Sequence, residues 1–211
     1  MAVWKLRKSE KIYRWLELLV FFVGLPVLYL YDFAPGFWKV APLLFFFAYC
    51  LVILTRANEF TWGDWNLKWI EWRTWVRLLL FPMTLYVILF FVFPGNLFAD
   101  FDDKKVVMAI IAYPLFSSLP QEIIYRKFFY YRYHGLISQR LLMWLVNAAL
   151  FAFAHIYFGN YVALIMTFFG GLFFSWTYIS TRSLLFVSIE HSIYGLALLC
   201  SVMNQYFYKA F

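Results

Sequence analysis

Seven stretches of this 211-residue chain are apolar over about the length of a membrane crossing. A transmembrane helix needs about 20 mostly apolar residues. Because lipid offers no hydrogen bonds, the backbone groups of such a stretch must be satisfied within the segment, as they are in an α-helix. The predicted spans are 15–31, 38–55, 76–94, 106–126, 139–157, 160–180 and 184–207. We therefore predict an all-α fold, a polytopic membrane helix bundle with about seven transmembrane helices.

The composition argues against an ordinary soluble domain and against nucleic acid as a partner. Hydrophobic residues make up 65% of the chain and charged residues 14%, whereas soluble domains carry roughly 25% charged residues. The net charge of +7 does not gather into a basic stripe with interleaved exposed aromatic residues, the pattern typical of nucleic-acid binding. Cys50 and Cys200 each lie in an apolar run without a Cys-x-x-Cys motif, so we interpret both as small core hydrophobes.

The distribution of basic residues predicts the orientation in the membrane. Lysine and arginine are enriched in cytoplasmic loops, and most of the 18 basic residues fall on one side of the predicted spans. This places the N-terminus in the cytoplasm and the C-terminus outside. The basic stretch 1–14 resembles the start of a signal peptide, but no small-x-small cleavage site follows. Span 15–31 is therefore predicted to remain as the first membrane helix.

A tryptophan-rich segment, 58–75, separates the second and third predicted spans. Its indole rings recur at three- and four-residue spacing, which favours one face of a helix, and such rings prefer the headgroup level of a bilayer. The rings belong to Trp62, Trp65, Trp69, Trp72 and Trp75. We predict an interfacial amphipathic helix here; an aromatic box that binds a ligand is the alternative.

A carboxylate and an arginine lie four residues apart near the end of the fourth span. Glu122 and Arg126 would share a helix face and could pair. A helix that restarts near Pro120 would place Glu122 close to a positive dipole end, because proline favours the first helical turn. Arg126 and that dipole favour the ionised carboxylate while desolvation opposes it, which is a balance suited to a general base. A purely structural ion pair at the inner membrane surface is the alternative.

Two histidines lie inside predicted membrane helices, where ionisable groups are costly and usually functional. Asn147, Phe151 and His155 recur every four residues and share a stripe. His191 is followed one turn later by Tyr194 and Gly195, and Glu190 beside it points about 100° away. Considered singly, each of these residues has a structural alternative. His155 could be an interior histidine with satisfied hydrogen bonds, and His191 could provide ordinary polarity in helix packing.

The order of the three motifs is more specific than any one of them. A Glu-x-x-x-Arg helix, then Phe-x-x-x-His, then a late histidine resembles the CPBP family over roughly residues 106–200. This is the family of CAAX prenyl endopeptidases and bacteriocin-processing or self-immunity proteins, also called ABI proteases. The resemblance implies an intramembrane glutamic endopeptidase in a multi-pass protein of the bacterial plasma membrane. It also implies that a glutamate and His155 activate water, that His191 stabilises the oxyanion, and that Arg126 supports the glutamate.

The chain departs from the family pattern at two positions. The first glutamate of the family's Glu-Glu-x-x-x-Arg falls on Gln121, which cannot take a proton at neutral pH, and the second falls on Glu122. Gln121 and Glu122 lie about 100° apart around a helix, so the predicted base is Glu122 only if that position faces the site. The asparagine of the family's His-x-x-x-Asn falls on Gly195. Asn147, Tyr194 or a backbone N–H could replace it.

Counted along straight helices, the three proposed site residues differ in depth. With a rise of about 1.5 Å per residue, Glu122 lies about 6 Å, His191 about 13 Å and His155 about 22 Å from the basic inner ends of their helices. Tilt, a kink at Pro120 or different helix boundaries would be needed to bring them together.

We predict that residues 1–105 supply N-terminal membrane helices and the tryptophan-rich helix, and that residues 106–211 form the catalytic helix bundle of one integral domain. The predicted partners are a membrane-associated peptide or protein substrate and the lipid bilayer, and no cofactor or metal is expected. A zinc site built from two histidines and a glutamate is the competing chemistry, although no His-Glu-x-x-His helix is present. The alternative functions are a catalytically impaired relative that binds peptides or acts as an immunity or scaffold protein, and a small transporter or channel.

Overall fold

The computed structural model describes residues 7–31, 41–68, 70–95, 97–98, 107 and 110–207, and this part of the chain is largely helical. Its helices are α1 (Lys8–Leu30), α2 (Ala41–Arg56), α3 (Trp72–Val92), α4 (110–133), α5 (Arg140–Phe153), α6 (Tyr161–Thr181), α7 (Leu184–Leu199) and α8 (Asn204–Phe207). Among the described residues the only β pairing is a single antiparallel bridge between Phe98 and Ser201.

Four of these helices are long and apolar enough to cross a membrane: α1, α3, α6, and α5 together with the turn that continues it to Phe158. Helices α2 and α7 are shorter apolar helices. The predicted fold class, a helical membrane bundle, is confirmed. The fourth predicted span, 106–126, lies partly outside the described residues, and its described part belongs to α4. The last predicted span, 184–207, is not one helix, since α7 ends at Leu199 and α8 follows separately.

The tryptophan-rich segment differs from the prediction of one amphipathic helix. Only Trp62–Trp65 forms a short 3₁₀ helix, and the next helix begins at Trp72. The backbone N–H of Thr61 donates to the Asp64 carboxylate at 2.7 Å, and the N–H of Lys68 donates to Asn66 Oδ1 at 2.7 Å. Such side-chain bonds offer the backbone an alternative to helical pairing, so the predicted continuous helix over 58–75 is wrong. Trp69 lies outside the described residues.

The described chain divides into two compact units, and each is described by itself. The first comprises the described residues of 1–60 and 123–176. Its core is built around Phe22, a fully buried ring of α1 with edge-on aromatic neighbours. These neighbours are Phe46 at 5.1 Å, Tyr125 at 5.3 Å, Phe129 at 5.6 Å and Tyr133 at 5.8 Å between ring centroids. Edge-to-face packing suits aromatic rings because the positive edge of one meets the negative face of the next.

Helix α1 carries a buried glutamate in the same unit. The Glu17 carboxylate accepts two hydrogen bonds from the Arg132 guanidinium, at 2.9 and 2.8 Å. It also accepts from the Tyr49 hydroxyl at 2.6 Å and from the Tyr133 hydroxyl at 2.9 Å. A charge with this bidentate partner and two further donors is compensated within the apolar interior. This arrangement is how α1 tolerates an acidic residue in the middle of a membrane-length helix.

The second unit comprises residues 61–122 and 177–210, as far as they are described. Helix α3 packs against α7 through aromatic contacts. The Trp75 ring meets Phe186 edge-on at 4.8 Å, and the Phe81 ring stacks on Tyr194 at 4.2 Å. The Tyr86 hydroxyl donates to the Ala197 carbonyl at 3.2 Å. The two ring contacts pack α7, which carries His191, against α3.

Candidate functional site

The second unit brings two of the predicted site residues into direct contact. His191 Nδ1 and Glu122 Oε1 lie 2.7 Å apart, and both side chains are buried. A carboxylate oxygen accepts when it is ionised, so Nδ1 carries the hydrogen and donates it. This leaves Nε2 as the ring nitrogen whose protonation decides the charge of His191. The contact joins helices α4 and α7 through two titratable groups.

Helix α4 places Glu122 and Gln121 in different environments. Two π-helical turns, Pro114–Ser118 and Ile123–Phe128, flank the four residues Leu119–Glu122. Glu122 is fully buried against His191, whereas Gln121 is half-buried and its amide donates to Ser117 Oγ at 2.9 Å. Insertions of π-helical turns shift the angular register of a helix and often occur at functional sites.

The expected helix restart at Pro120 does not occur. Helix α4 is continuous through Pro120 and places Glu122 in its interior. A helix dipole acts within the first and last turns, so the predicted contribution of a nearby N-terminus to the Glu122 carboxylate is wrong. A π-helical turn ends at Ser118, just before Pro120, and a proline can kink a helix without ending it.

One serine hydroxyl of α4, that of Ser118, bonds to α7 next to the Glu122–His191 pair. The carbonyl of Ser188 accepts from the Ser118 hydroxyl at 2.8 Å and from the Ser192 hydroxyl at 2.7 Å. All three serines are buried. A hydrogen bond between helices in an apolar setting fixes their register, since the alternative is an unsatisfied polar group. Glu122 and His191 therefore meet at a helix contact whose register is fixed by a hydrogen bond.

Glu190, the sequence neighbour of His191, belongs to a separate network. Its Oε1 accepts from Arg77 Nη2 at 3.0 Å and from the Tyr194 hydroxyl at 3.1 Å. Arg77 also donates to the Thr177 hydroxyl. The 100° offset between positions 190 and 191 is thus used to separate two polar clusters. Tyr194, one of the predicted substitutes for the missing asparagine, directs its hydroxyl into the Glu190 network.

A tyrosine that the sequence motifs do not include lies beside His191. The Tyr113 and His191 rings have their centroids 6.0 Å apart and are nearly perpendicular. A Cβ placed on Gly195 would lie 2.5 Å from Cζ and 2.6 Å from Cε1 of Tyr113, and closest of all to its hydroxyl. Only glycine at position 195 leaves room for this phenol. The sequence does not indicate which side chain occupies the space beside a glycine, because that side chain comes from another helix.

The first unit holds the predicted supporting residues Arg126 and Asn147. Arg126 Nη1 donates to Asn147 Oδ1 at 2.5 Å, and its guanidinium lies over the Phe151 ring at 5.0 Å. Asn147 Oδ1 also accepts from the Ser175 hydroxyl at 2.8 Å, and its amide donates to the Tyr125 carbonyl at 2.6 Å. The asparagine is fully buried. These contacts serve to hold Arg126, and the pairing of Arg126 with Glu122 stays a prediction.

His155 lies just beyond the end of α5 in the first unit. Its Nδ1 lies 2.7 Å from the Phe151 carbonyl, and the rings of His155 and Phe151 are 4.9 Å apart. A carbonyl oxygen only accepts, so Nδ1 carries a hydrogen and the neutral ring presents Nε2 as a basic nitrogen. Phe151 and His155 of the predicted stripe are in contact, but His155 itself follows the end of the helix. The assistance of His155 to Glu122 stays a prediction.

The zinc alternative receives no support from the described part of the chain. Within it, no three His, Cys, Asp or Glu side chains come close enough together to hold a metal ion. A zinc site with an open position needs three protein ligands. The contact between Glu122 and His191 supplies two such side chains, and a carboxylate hydrogen bonded to an imidazole is an arrangement suited to proton transfer.

Comparison with known proteins gives a family match. Residues 103–197, just under half of the chain, match the family model described as type II CAAX prenyl endopeptidase Rce1-like. The resemblance to the CPBP family, indicated by the motifs, is confirmed over this segment. No curated protein and no solved structure matches the chain significantly. At the level of the family the match supports a membrane protease, and the four candidate spans support an integral membrane protein.

Proposed function

Building on this family match, we propose that the chain is an intramembrane endopeptidase in which Glu122 activates water to hydrolyse a peptide bond. The single observation that supports this choice of base is the 2.7 Å hydrogen bond between Glu122 and His191 inside the matching segment. The proposed substrate is a membrane-associated peptide, with a prenylated C-terminal tail as the first probe because the family is described by that activity.

In the proposed reaction, Glu122 carries the proton that water loses and that the leaving amine gains. Glu122 takes one proton from a water molecule while the water oxygen forms a bond to the peptide carbonyl carbon. The carbonyl oxygen becomes the oxyanion of a tetrahedral intermediate. When the intermediate collapses, the carbon–nitrogen bond breaks and the proton held by Glu122 passes to the leaving amine. A positioned general base contributes about 10²- to 10⁴-fold to such a step.

His191 has a defined role within this scheme. One N–H, at Nδ1, already donates to Glu122, so stabilising an oxyanion requires a second N–H at Nε2 and hence the imidazolium form. A buried imidazolium beside a carboxylate is a compensated pair. As Glu122 takes the proton, negative charge moves to the oxyanion, and the cation then compensates that charge instead. Donors that are oriented before the charge develops provide the largest single contribution in many enzymes.

The alternative is a relative that binds the same peptides without cleaving them. Gln121 at the family's first glutamate position favours it, because the amide donates to Ser117 and cannot serve as a base. Gln121→Glu separates the two functions. If the parent chain binds but does not cleave and Gln121→Glu cleaves, the binding function is the correct one.

The experiment that tests the proposal is digestion of a peptide library, including farnesylated peptides with a Cys-aliphatic-aliphatic-X tail, by purified protein in detergent. The parent chain should cleave at least one member, and His191→Ala should lower its rate by about 10³-fold. The matched control is His134→Ala, since the ring of His134 is hydrogen bonded locally to the Tyr131 carbonyl, at 2.6 Å. It should keep the parent rate. Equal cleavage by all three proteins, or none by the parent, would overturn the assignment.

A further inference from the structure

The space above Gly195 is filled by a polar group rather than by an apolar side chain. Glycine inside a helix costs about 1 kcal/mol relative to alanine, and α7 has one at position 195, a single turn after His191. The atoms that enter this space are the hydroxyl end of Tyr113, followed by its Cζ and Cε1. The helix therefore gives up a side chain where a phenol from α4 approaches its backbone.

This phenol shares the face of α7 on which His191 lies. Residues four apart stack on one side of a helix, so a group seated over Gly195 lies next to the His191 side chain. The perpendicular packing of the Tyr113 and His191 rings, with centroids 6.0 Å apart, agrees with that placement. The histidine donates its Nδ1 hydrogen to Glu122. The phenol and the imidazole thus lie beside each other within the unit that holds the proposed base.

The two other side chains that could supply a second donor are occupied. The Tyr194 hydroxyl is directed to Glu190 at 3.1 Å. The Asn147 amide oxygen and nitrogen bind Arg126, Ser175 and the Tyr125 carbonyl within the first unit. The Tyr113 ring is half-buried beside His191, and its phenol is an O–H donor. Tyrosine hydroxyls are among the groups that form oxyanion holes.

We propose that Tyr113 is a further catalytic residue of this site: its hydroxyl, seated over Gly195 beside His191, donates a hydrogen bond to the oxyanion of the tetrahedral intermediate. The inference rests on the proposed peptidase function and adds a donor to it. It also gives a physical reason for the glycine, which stands where the family pattern has an asparagine. Position 195 provides the space, and Tyr113 provides the donor.

The direct test is Tyr113→Phe, assayed on the best-cleaved library peptide. The substitution keeps the ring that packs on His191 and removes only the hydroxyl, so folding should be preserved. We expect kcat to fall about 10²-fold with KM nearly unchanged, because the bond forms only in the transition state. The matched control is Tyr86→Phe, which removes a hydroxyl bound to the Ala197 carbonyl in the same unit and should leave kcat unchanged.

A second pair of variants tests the geometry. In Gly195→Ala the new Cβ would displace the phenol, so kcat should fall about as far as in Tyr113→Phe. In a Tyr113→Ala background the same Gly195→Ala change should cost nothing further, since the clash is gone. A parent-like kcat in Tyr113→Phe, while His191→Ala remains inactive, would overturn the role of Tyr113 and leave the peptidase intact. A parent chain that cleaves no peptide would overturn both.

Discussion

Two buried glutamates, one in each unit, contrast in the partners that surround them. Glu17 is bound by the Arg132 guanidinium and by two tyrosine hydroxyls. Arginine stays charged at any pH a protein meets, so Glu17 is locked as a carboxylate. Glu122 is hydrogen bonded to His191, whose imidazole has two ring nitrogens that can each carry a hydrogen. The guanidinium and hydroxyls around Glu17 suit a carboxylate that holds helices together, and an imidazole contact suits a carboxylate that exchanges protons.

The comparison extends to a third buried glutamate of the described chain. Glu190 is adjacent in sequence to His191, yet its cationic partner is Arg77. It therefore resembles Glu17 rather than Glu122, and sequence proximity to a site residue does not decide the role. Glu122 differs from both in its histidine contact, and it lies in a π-interrupted helix within the family match.

The largest stability effect should come from Arg132→Met. Removing the guanidinium leaves Glu17 buried without its cation, and breaking a buried pair costs about 3–5 kcal/mol. The free energy of unfolding in mixed micelles measures this loss. The double variant Glu17→Gln with Arg132→Met should recover most of it, because the uncompensated charge is gone. Were Arg132→Met as stable as the parent chain, the view of Glu17 as a structural carboxylate would be wrong.

A smaller effect is expected from Asn147→Ala. Arg126 and the Tyr125 carbonyl would each lose a buried partner, and a lost bond to a charged group costs about 1.5–3 kcal/mol. The same unfolding measurement reports it. Asn160→Ala is the reference: it removes the partly buried cap at the start of α6 and should cost less, about 1 kcal/mol. If Asn147→Ala lowered the cleavage rate of folded protein without changing stability, Asn147 would act in the chemistry after all.

The helical bundle could be predicted from the sequence because hydropathy alone identifies segments that lipid will accept. The break in the tryptophan-rich segment could not, since Asp64 caps the start of a short 3₁₀ helix and Asn66 bonds the backbone just after that helix. Nor could the sequence decide between Gln121 and Glu122. The π-helical turns around Leu119–Glu122 change the angular register that a regular helix would give.

Regular helix geometry also misplaces the depths of the site residues. Straight helices put Glu122 and His191 at different depths, whereas their side chains are hydrogen bonded. Helix α4 contains two π-helical turns, so counting residues along a regular helix does not describe it. Tyr113 was missed for another reason. A glycine in a sequence indicates a close approach, but it does not identify the helix or the residue that approaches.

The most direct test compares Glu122→Gln with Glu17→Gln in single-turnover cleavage, each normalised to folded protein. Both variants neutralise one buried carboxylate of a membrane helix with the same isosteric change. We predict that Glu122→Gln loses about 10³-fold or more in the chemical step, while folded Glu17→Gln cleaves at the parent rate despite lower stability. Equal rates for Glu122→Gln and the parent chain would contradict the assignment of Glu122 as the base.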